Sequence, residues 1–118
     1  MLCLSRDSGS ELWRAQIDQG NELKRKQNNS SPSPVSDGKH VWAATGNGVV
    51  AAYTIDGRKL WQKDLQGLYG EFGLNWGFAS SPLLYNGMLI FGVVRGQNTE
   101  APGYVVAFDG STGVEVWK

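Results

Sequence analysis

Ala107-Phe-Asp-Gly-Ser-Thr-Gly-Val-Glu-Val-Trp117 reads as the end of one strand, a turn rich in glycine and a second short strand that ends on an indole. The stretch recurs. Residues 106–118 (VAFDGSTGVEVWK) lie over residues 2–14 (LCLSRDSGSELWR) without a gap. Gly113, Glu115 and Trp117 match Gly9, Glu11 and Trp13, and Val106/Leu2, Ala107/Cys3, Phe108/Leu4, Thr112/Ser8, Val116/Leu12 and Lys118/Arg14 keep their character. A middle copy runs from Ala52 to Gln62 through Asp56, Gly57 and Trp61, with one residue fewer in its turn. A second shared element precedes the strands: Ser33-Pro34 with Asp37-Gly38 corresponds to Ser81-Pro82 with Asn86-Gly87.

Trp13 and Trp61 are 48 positions apart, and Trp61 and Trp117 are 56 apart. Periods near this length, with four short strands each, are what β-propeller blades require. In the complete copy Pro34–Ser36 reads as an inner strand and Lys39–Thr45 as a second. Asn47-Gly48 is a hairpin signal; Val49–Ile55 and Lys59–Asp64 follow as third and outer strands. The next copy gives Ser81–Tyr85, Met88–Val94, Tyr104–Phe108 and Val114–Lys118. No stretch has a sustained helical period. The small apolar run Val49, Val50, Ala51 and Ala52 suits a strand buried on both faces. Each repeated tryptophan is expected to fill the seam between neighbouring blades. At about 25 cal/mol per Å², each such side chain could contribute up to about 4–6 kcal/mol.

The organisation expected is all-β: about two and a half four-stranded antiparallel blades of a partial propeller. Residues 1–16 form the outer part of a first blade, 31–65 a second and 79–118 a third. Such a piece alone would expose a blade face and unpaired strand edges, so the chain is expected to belong to a longer protein. The remaining blades are then its first partner.

Composition supports this class. Over 118 residues, 41% are hydrophobic, 11% aromatic and 19% charged, with sixteen glycines and five tryptophans. Eleven basic and eleven acidic residues cancel, so no net field favours nucleic acid or an anionic membrane. No apolar run reaches the ~18 residues of a membrane helix. One cysteine, Cys3, forms no internal disulfide and sits at the small Ala107 position, which favours seam packing.

The segment Ala107 to Trp117 resembles the tryptophan-docking motif A-x-D-x-x-T-G-x-x-x-W of pyrroloquinoline-quinone (PQQ)-type propeller repeats, with Ala107, Asp109, Thr112, Gly113 and Trp117 all in place. The first copy departs from it at Cys3, Ser5 and Ser8. The resemblance implies a bacterial, periplasmic or secreted repeat protein of an eight-bladed type. That family includes quinoprotein alcohol dehydrogenases and the cofactor-free propeller lipoprotein of the β-barrel assembly machinery.

An antiparallel meander gathers the long segments Gln16–Ser30, Gln66–Gly77 and Arg95–Pro102 at one end, where binding loops commonly sit. Tyr69, Glu71, Phe72, Asn75, Trp76 and Arg95 are the candidate ligand-binding residues, with Gln97 and Glu100 beside them. They suit a protein, peptide or glycan; the competing reading is that the aromatics only close the loop. A quinone enzyme implies calcium held by Glu, Asn and Asp oxygens, an Asp base and, in alcohol enzymes, a vicinal Cys pair. Only Glu71 and Asn75 qualify as ligands, and no base partners them. The expected function is therefore a non-catalytic scaffold without cofactor, metal or catalytic residues. The alternative is a fragment of a PQQ-dependent dehydrogenase carrying PQQ and calcium. His40 reads as an exposed strand histidine and Lys24-Arg25-Lys26 as a solvated run. Gly46-Asn-Gly48 reads as a hairpin, and Asn29-Ser30-Ser31 fits the N-glycosylation pattern.

Overall fold

A computed structural model describes residues 1–20, 28–74, 77–96 and 98–118. Among the described residues, ten strands form three antiparallel sheets, with one short helix between the second and third. The first holds β1 (Leu2–Leu4) and β2 (Glu11–Arg14). The second is ordered β3 (Val35–Ser36), β4 (His40–Ala44), β5 (Val49–Thr54), β6 (Lys59–Asp64). The third is ordered β7 (Leu83–Tyr85), β8 (Met88–Val93), β9 (Tyr104–Asp109), β10 (Glu115–Trp117). Each four-stranded sheet is an up-and-down meander, as the repeat requires. The expected strands shrink at their ends: Pro34 lacks an N–H for the ladder, and Val114 and Lys118 lie outside β10.

Helix α1 (Leu65–Tyr69) corrects the expectation of a wholly irregular connection after β6. Five residues are too few to show a period. Its signals are instead the caps: the Asp64 side chain accepts the Gln66 N–H, and Gly70 ends it with φ +90°.

β5 is buried on both faces, as its small residues foretell, with Val50, Ala51 and Ala52 fully buried. The row Val35–Trp42–Ala52–Trp61 crosses the second sheet in register and turns to the third sheet. The alternate positions Ala51 and Tyr53 turn the other way, and the Tyr53 ring stacks on Trp13 at 6.0 Å. Between the second and third sheets lies the main core, which includes Trp42, Val50, Leu65, Phe78, Phe91, Val106 and Phe108. At their inner edges the two copies of the Ser-Pro element meet, the Ser33 N–H donating to Ser81 Oγ at 2.9 Å.

The repeated tryptophans join sheets through one geometry. Trp13 Nε1–H donates to the Ile55 carbonyl at 2.9 Å, and its ring lies on Gly57. Trp61 Nε1–H donates to the Gly110 carbonyl at 2.8 Å, and its ring lies on Gly113. Trp117 departs from the expectation: it remains 42% exposed, with no sheet among the described residues against its side of β10.

Asp37 organises the β3–β4 turn. It accepts the backbone N–H of His40 at 2.7 Å and of Lys39 at 2.8 Å, and the His40 ring nitrogen lies 3.2 Å away. His40 is thus half-buried beside Asp37 and Trp42, not the exposed strand histidine expected. Those backbone bonds hold the Asp37 carboxyl at about 2, against the opposing effect of desolvation. Its folded pKa lies below the unfolded value of about 3.9, so its contribution is complete above that pH and is lost on acidification towards the folded value. The urea midpoint of the native chain is expected to fall more steeply than that of Asp37→Asn between about pH 4 and about pH 2. Parallel slopes would show that the turn does not favour the ionised carboxylate.

Candidate functional site

The β4–β5 hairpin, the segment after β6 and the segment after β8 meet at one end of the sheets. Gly96 N–H donates to the Phe72 carbonyl at 2.8 Å, joining two of these segments. Gln66 ties the same region to the hairpin: its amide donates to the Asn47 carbonyl at 2.8 Å and accepts the Phe72 N–H at 2.9 Å. Two of the three long segments expected at one end, those after β6 and β8, therefore meet there.

Of the four expected ligand-binding residues that are described, three serve the loop itself. Phe72 is 3% exposed and packs on Phe78 with ring centroids 4.8 Å apart. Arg95 donates to the carbonyls of Gly70 (2.7 Å), Glu71 and Tyr69, clamping the end of α1. Its guanidinium also lies 5.9 Å from the Tyr104 ring centre. Tyr69 donates its hydroxyl to Glu115; burial first, then this carboxylate, pushes the phenol pKa well up. Lys118 covers the rings of Tyr69 and Tyr104 at 5.5 and 5.3 Å. Asn75, Trp76 and Gln97 lie outside the described residues, as do Lys24, Arg25 and Lys26.

Glu71 remains. It is exposed and borders a cavity of about 610 Å³ with Asn47, Gln66, Leu74, Phe78 and Asn98. A second cleft of about 340 Å³ lies between the first and second sheets, bordered by Ile17, Asp18, Asn29, Pro32 and Ala43. At its polar side, Asn29 Nδ2 donates to Asn47 Oδ1 at 2.9 Å. Asn47 Nδ2 and the Thr45 hydroxyl both donate to Asp18, each at 2.9 Å. Burial opposes ionisation of Asp18, but these bonds and the Gln19 N–H hold its pKa below the usual carboxylate range. Asn29 is 3% exposed, so the folded chain does not present this glycosylation pattern to solvent. Sequence reading missed Asp18, Gln66 and Asn98. Only Asn47 carried a signal, as a turn residue, and that signal says nothing about where its side chain bonds.

Chemically, the larger cavity presents the Glu71 carboxylate over an aromatic floor, beside amides of Asn47 and Gln66 that are bonded within the loop end. Among the described residues no three His, Cys, Asp or Glu side chains gather where they could hold a metal ion. Among the described residues, Glu71 has no second carboxylate beside it on the cavity wall.

The family profile described as "Outer membrane protein assembly factor BamB" matches residues 2–118. The chain belongs to this family. Its PQQ-like repeats and propeller architecture recur in solved structures. The europium-containing methanol dehydrogenase superposes with TM-score 0.68 at 19% identity, over 98% of this chain and 20% of that one. BamB from Moraxella catarrhalis gives 0.62 at 19% identity, over 97% and 28%. Quinohemoprotein alcohol dehydrogenase from Comamonas testosteroni gives 0.67 at 20% identity, over 97% and 17%. The chain therefore spans less than a third of the length of each. Comparison with curated proteins gives no match. At such identities the likeness establishes the fold, that of a PQQ-like propeller.

Proposed function

We propose that the chain is part of a non-catalytic PQQ-like propeller scaffold of an exported bacterial protein, which holds an extended protein or peptide segment at the loop end. One observation carries this reading. The cavity beside Glu71 is lined by hydrogen-bonding amides over a closed aromatic floor, while the aromatic and cationic groups around it are engaged in closing the loop. The side-chain amides of Asn47 and Gln66 are bonded within the loop end and hold the cavity wall in place, and Glu71, exposed on that wall, favours a lysine or arginine on the bound segment. Membership of the assembly-factor family, one of whose solved members is BamB itself, supports a protein ligand over a glycan.

Nuclear magnetic resonance titration of the ¹⁵N-labelled chain tests this reading with three probes: an extended lysine–valine peptide, a neutral oligosaccharide, and PQQ with calcium. The peptide is expected to shift the amide signals of Gly46, Asn47 and residues 71–74, with the shifts weakened in Glu71→Gln. Shifts with the oligosaccharide alone would replace the peptide by a glycan. Saturable PQQ binding accompanied by dye reduction would overturn the scaffold reading in favour of a quinoprotein dehydrogenase.

A further inference from the structure

Asn-Gly occurs twice in the chain, at Asn47-Gly48 in the β4–β5 turn and at Asn86-Gly87 in the β7–β8 turn, as the dipeptide favours. The same dipeptide is chemically weak. Asparagine is among the thermolabile side chains, and a following glycine has no side chain to screen its nitrogen from the asparagine amide carbon. The fold gives the two copies opposite surroundings. At the first, Asn47 Oδ1 accepts the Asn29 amide and Asn47 Nδ2 donates to Asp18, each at 2.9 Å, while the Asn47 carbonyl accepts the Gln66 amide at 2.8 Å. Gly48 N–H donates to the Thr45 carbonyl at 2.9 Å, and a Cβ on Gly48 would meet the Phe72 ring at 2.7 Å. Electrophilic carbon, attacking nitrogen and the peptide between them are all held.

At the second, the Tyr85–Met88 pair closes a two-residue turn with φ +47° at Asn86 and +74° at Gly87. Both residues are exposed, and nothing lies within 4 Å of the place a Gly87 Cβ would take. Among the described residues, the Asn86 side chain, the Asn86 carbonyl and the Gly87 N–H make no hydrogen bond. The turn is tied from outside through the Gly87 carbonyl, which accepts the Gly110 N–H at 2.8 Å and leaves the Asn86–Gly87 peptide free to rotate. Exposure belongs to this end of the blades: in the second blade, with a sheet on either side, residues 36–39 of the β3–β4 turn are exposed as well.

We propose that Asn86 is a site of spontaneous succinimide formation and deamidation in the folded chain, and that the bonds of the loop end protect Asn47 from the same reaction. Hydroxide takes the Gly87 N–H proton, and the nitrogen forms a bond to Asn86 Cγ. The side-chain nitrogen leaves as ammonia after taking a proton from water. Water then opens the cyclic imide at either carbonyl, giving aspartate or isoaspartate; in sum one water is consumed and one ammonia released. Isoaspartate carries the main chain through Cβ and lengthens the turn. The contacts it disturbs are the Tyr85–Met88 pair and the bond from Gly110, whose own carbonyl takes the indoles of Trp42 and Trp61. The modification therefore reaches the packing of the second blade on the third through one hydrogen bond.

Incubation of the full chain at mildly alkaline pH, followed by peptide mapping with mass spectrometry, reads both sites at once. Residue 86 should gain the mass of an amide-to-acid exchange at least about tenfold faster than residue 47, the factor that a local opening of about 1.4 kcal/mol supplies. In concentrated urea the two sites should react at similar rates. Part of the product at 86 should resist aspartate-specific cleavage, as isoaspartate does. That form, separated by chromatography, should unfold at lower urea than Asn86→Asp, which has the same charge on a normal backbone. Equal rates in the folded chain, or aspartate at 86 without isoaspartate, would overturn the proposal. A preference for 86 that persists in urea would overturn the protection of Asn47, and equal urea midpoints would overturn the reach to the blade packing.

Discussion

Replacing Trp42 with alanine is expected to remove about 3–5 kcal/mol of stability, a large part of the roughly 5–15 kcal/mol that a folded domain commands. This is not one of the three repeated tryptophans. It lies on β4 with 2% exposure, and its indole N–H reaches the Gly110 carbonyl at 2.8 Å. Trp61 donates to the same oxygen, so Gly110 is the point where two indoles of the second blade hold the third. The backbone there is tightly held: Gly110 N–H donates to the Gly87 carbonyl, and a Cβ on Gly110 would meet that oxygen at 2.8 Å. Truncating Trp42 leaves a core cavity that the β-ladder on both sides prevents from collapsing. Trp42→Phe keeps most of the apolar area and leaves Trp61 on the carbonyl, so it should cost about 1–2 kcal/mol. Trp13→Ala should also cost less than Trp42→Ala, because Trp13 is only half-buried. Urea midpoints at constant m-value measure all three. Equal losses for Trp13→Ala and Trp42→Ala would contradict a core centred between the second and third blades.

The second large effect is expected at Gly113, with Gly9 as its control. Both have φ near +70°, so alanine at either costs the same backbone strain, on the order of 1–2 kcal/mol. Only at Gly113 does the new Cβ also meet an indole, 2.7 Å from Cδ2 of Trp61. The ring must withdraw and weaken its bond to Gly110, adding about 1–3 kcal/mol of overpacking. Gly113→Ala should therefore be the more damaging by that difference in monomeric protein. Matching losses would mean that the glycine serves the turn alone and that the seam tolerates a side chain.

These two experiments also mark what a linear reading could reach. Trp13, Trp61 and Trp117 were legible because a repeat writes the same side chain at the same place, and Gly9, Gly57 and Gly113 because a tight turn admits little else. Trp42 was not. Its counterpart by register in the third blade is Ile90, so the position reads as generic core, and only the folded chain puts its N–H on a carbonyl 68 residues away. The candidate site was legible to a similar depth. Gly and aromatic content located the loop end, but whether Phe72 and Arg95 face a ligand or the loop itself depends on carbonyls and rings brought in from other segments.

By itself, the sequence determined the repeat, the order and register of the strands and the turns between them, because these follow from side-chain alternation and local backbone preference. Tertiary structure alone decided which tryptophans are covered, that Arg95 clamps α1 and that Asp18 lies under Thr45 and Asn47. Burial and hydrogen bonding are properties of neighbours, and here the neighbours come from distant blades. Trp117 has the same motif as Trp61 and the opposite environment. The motif specifies how an indole docks, and only a facing blade makes it dock.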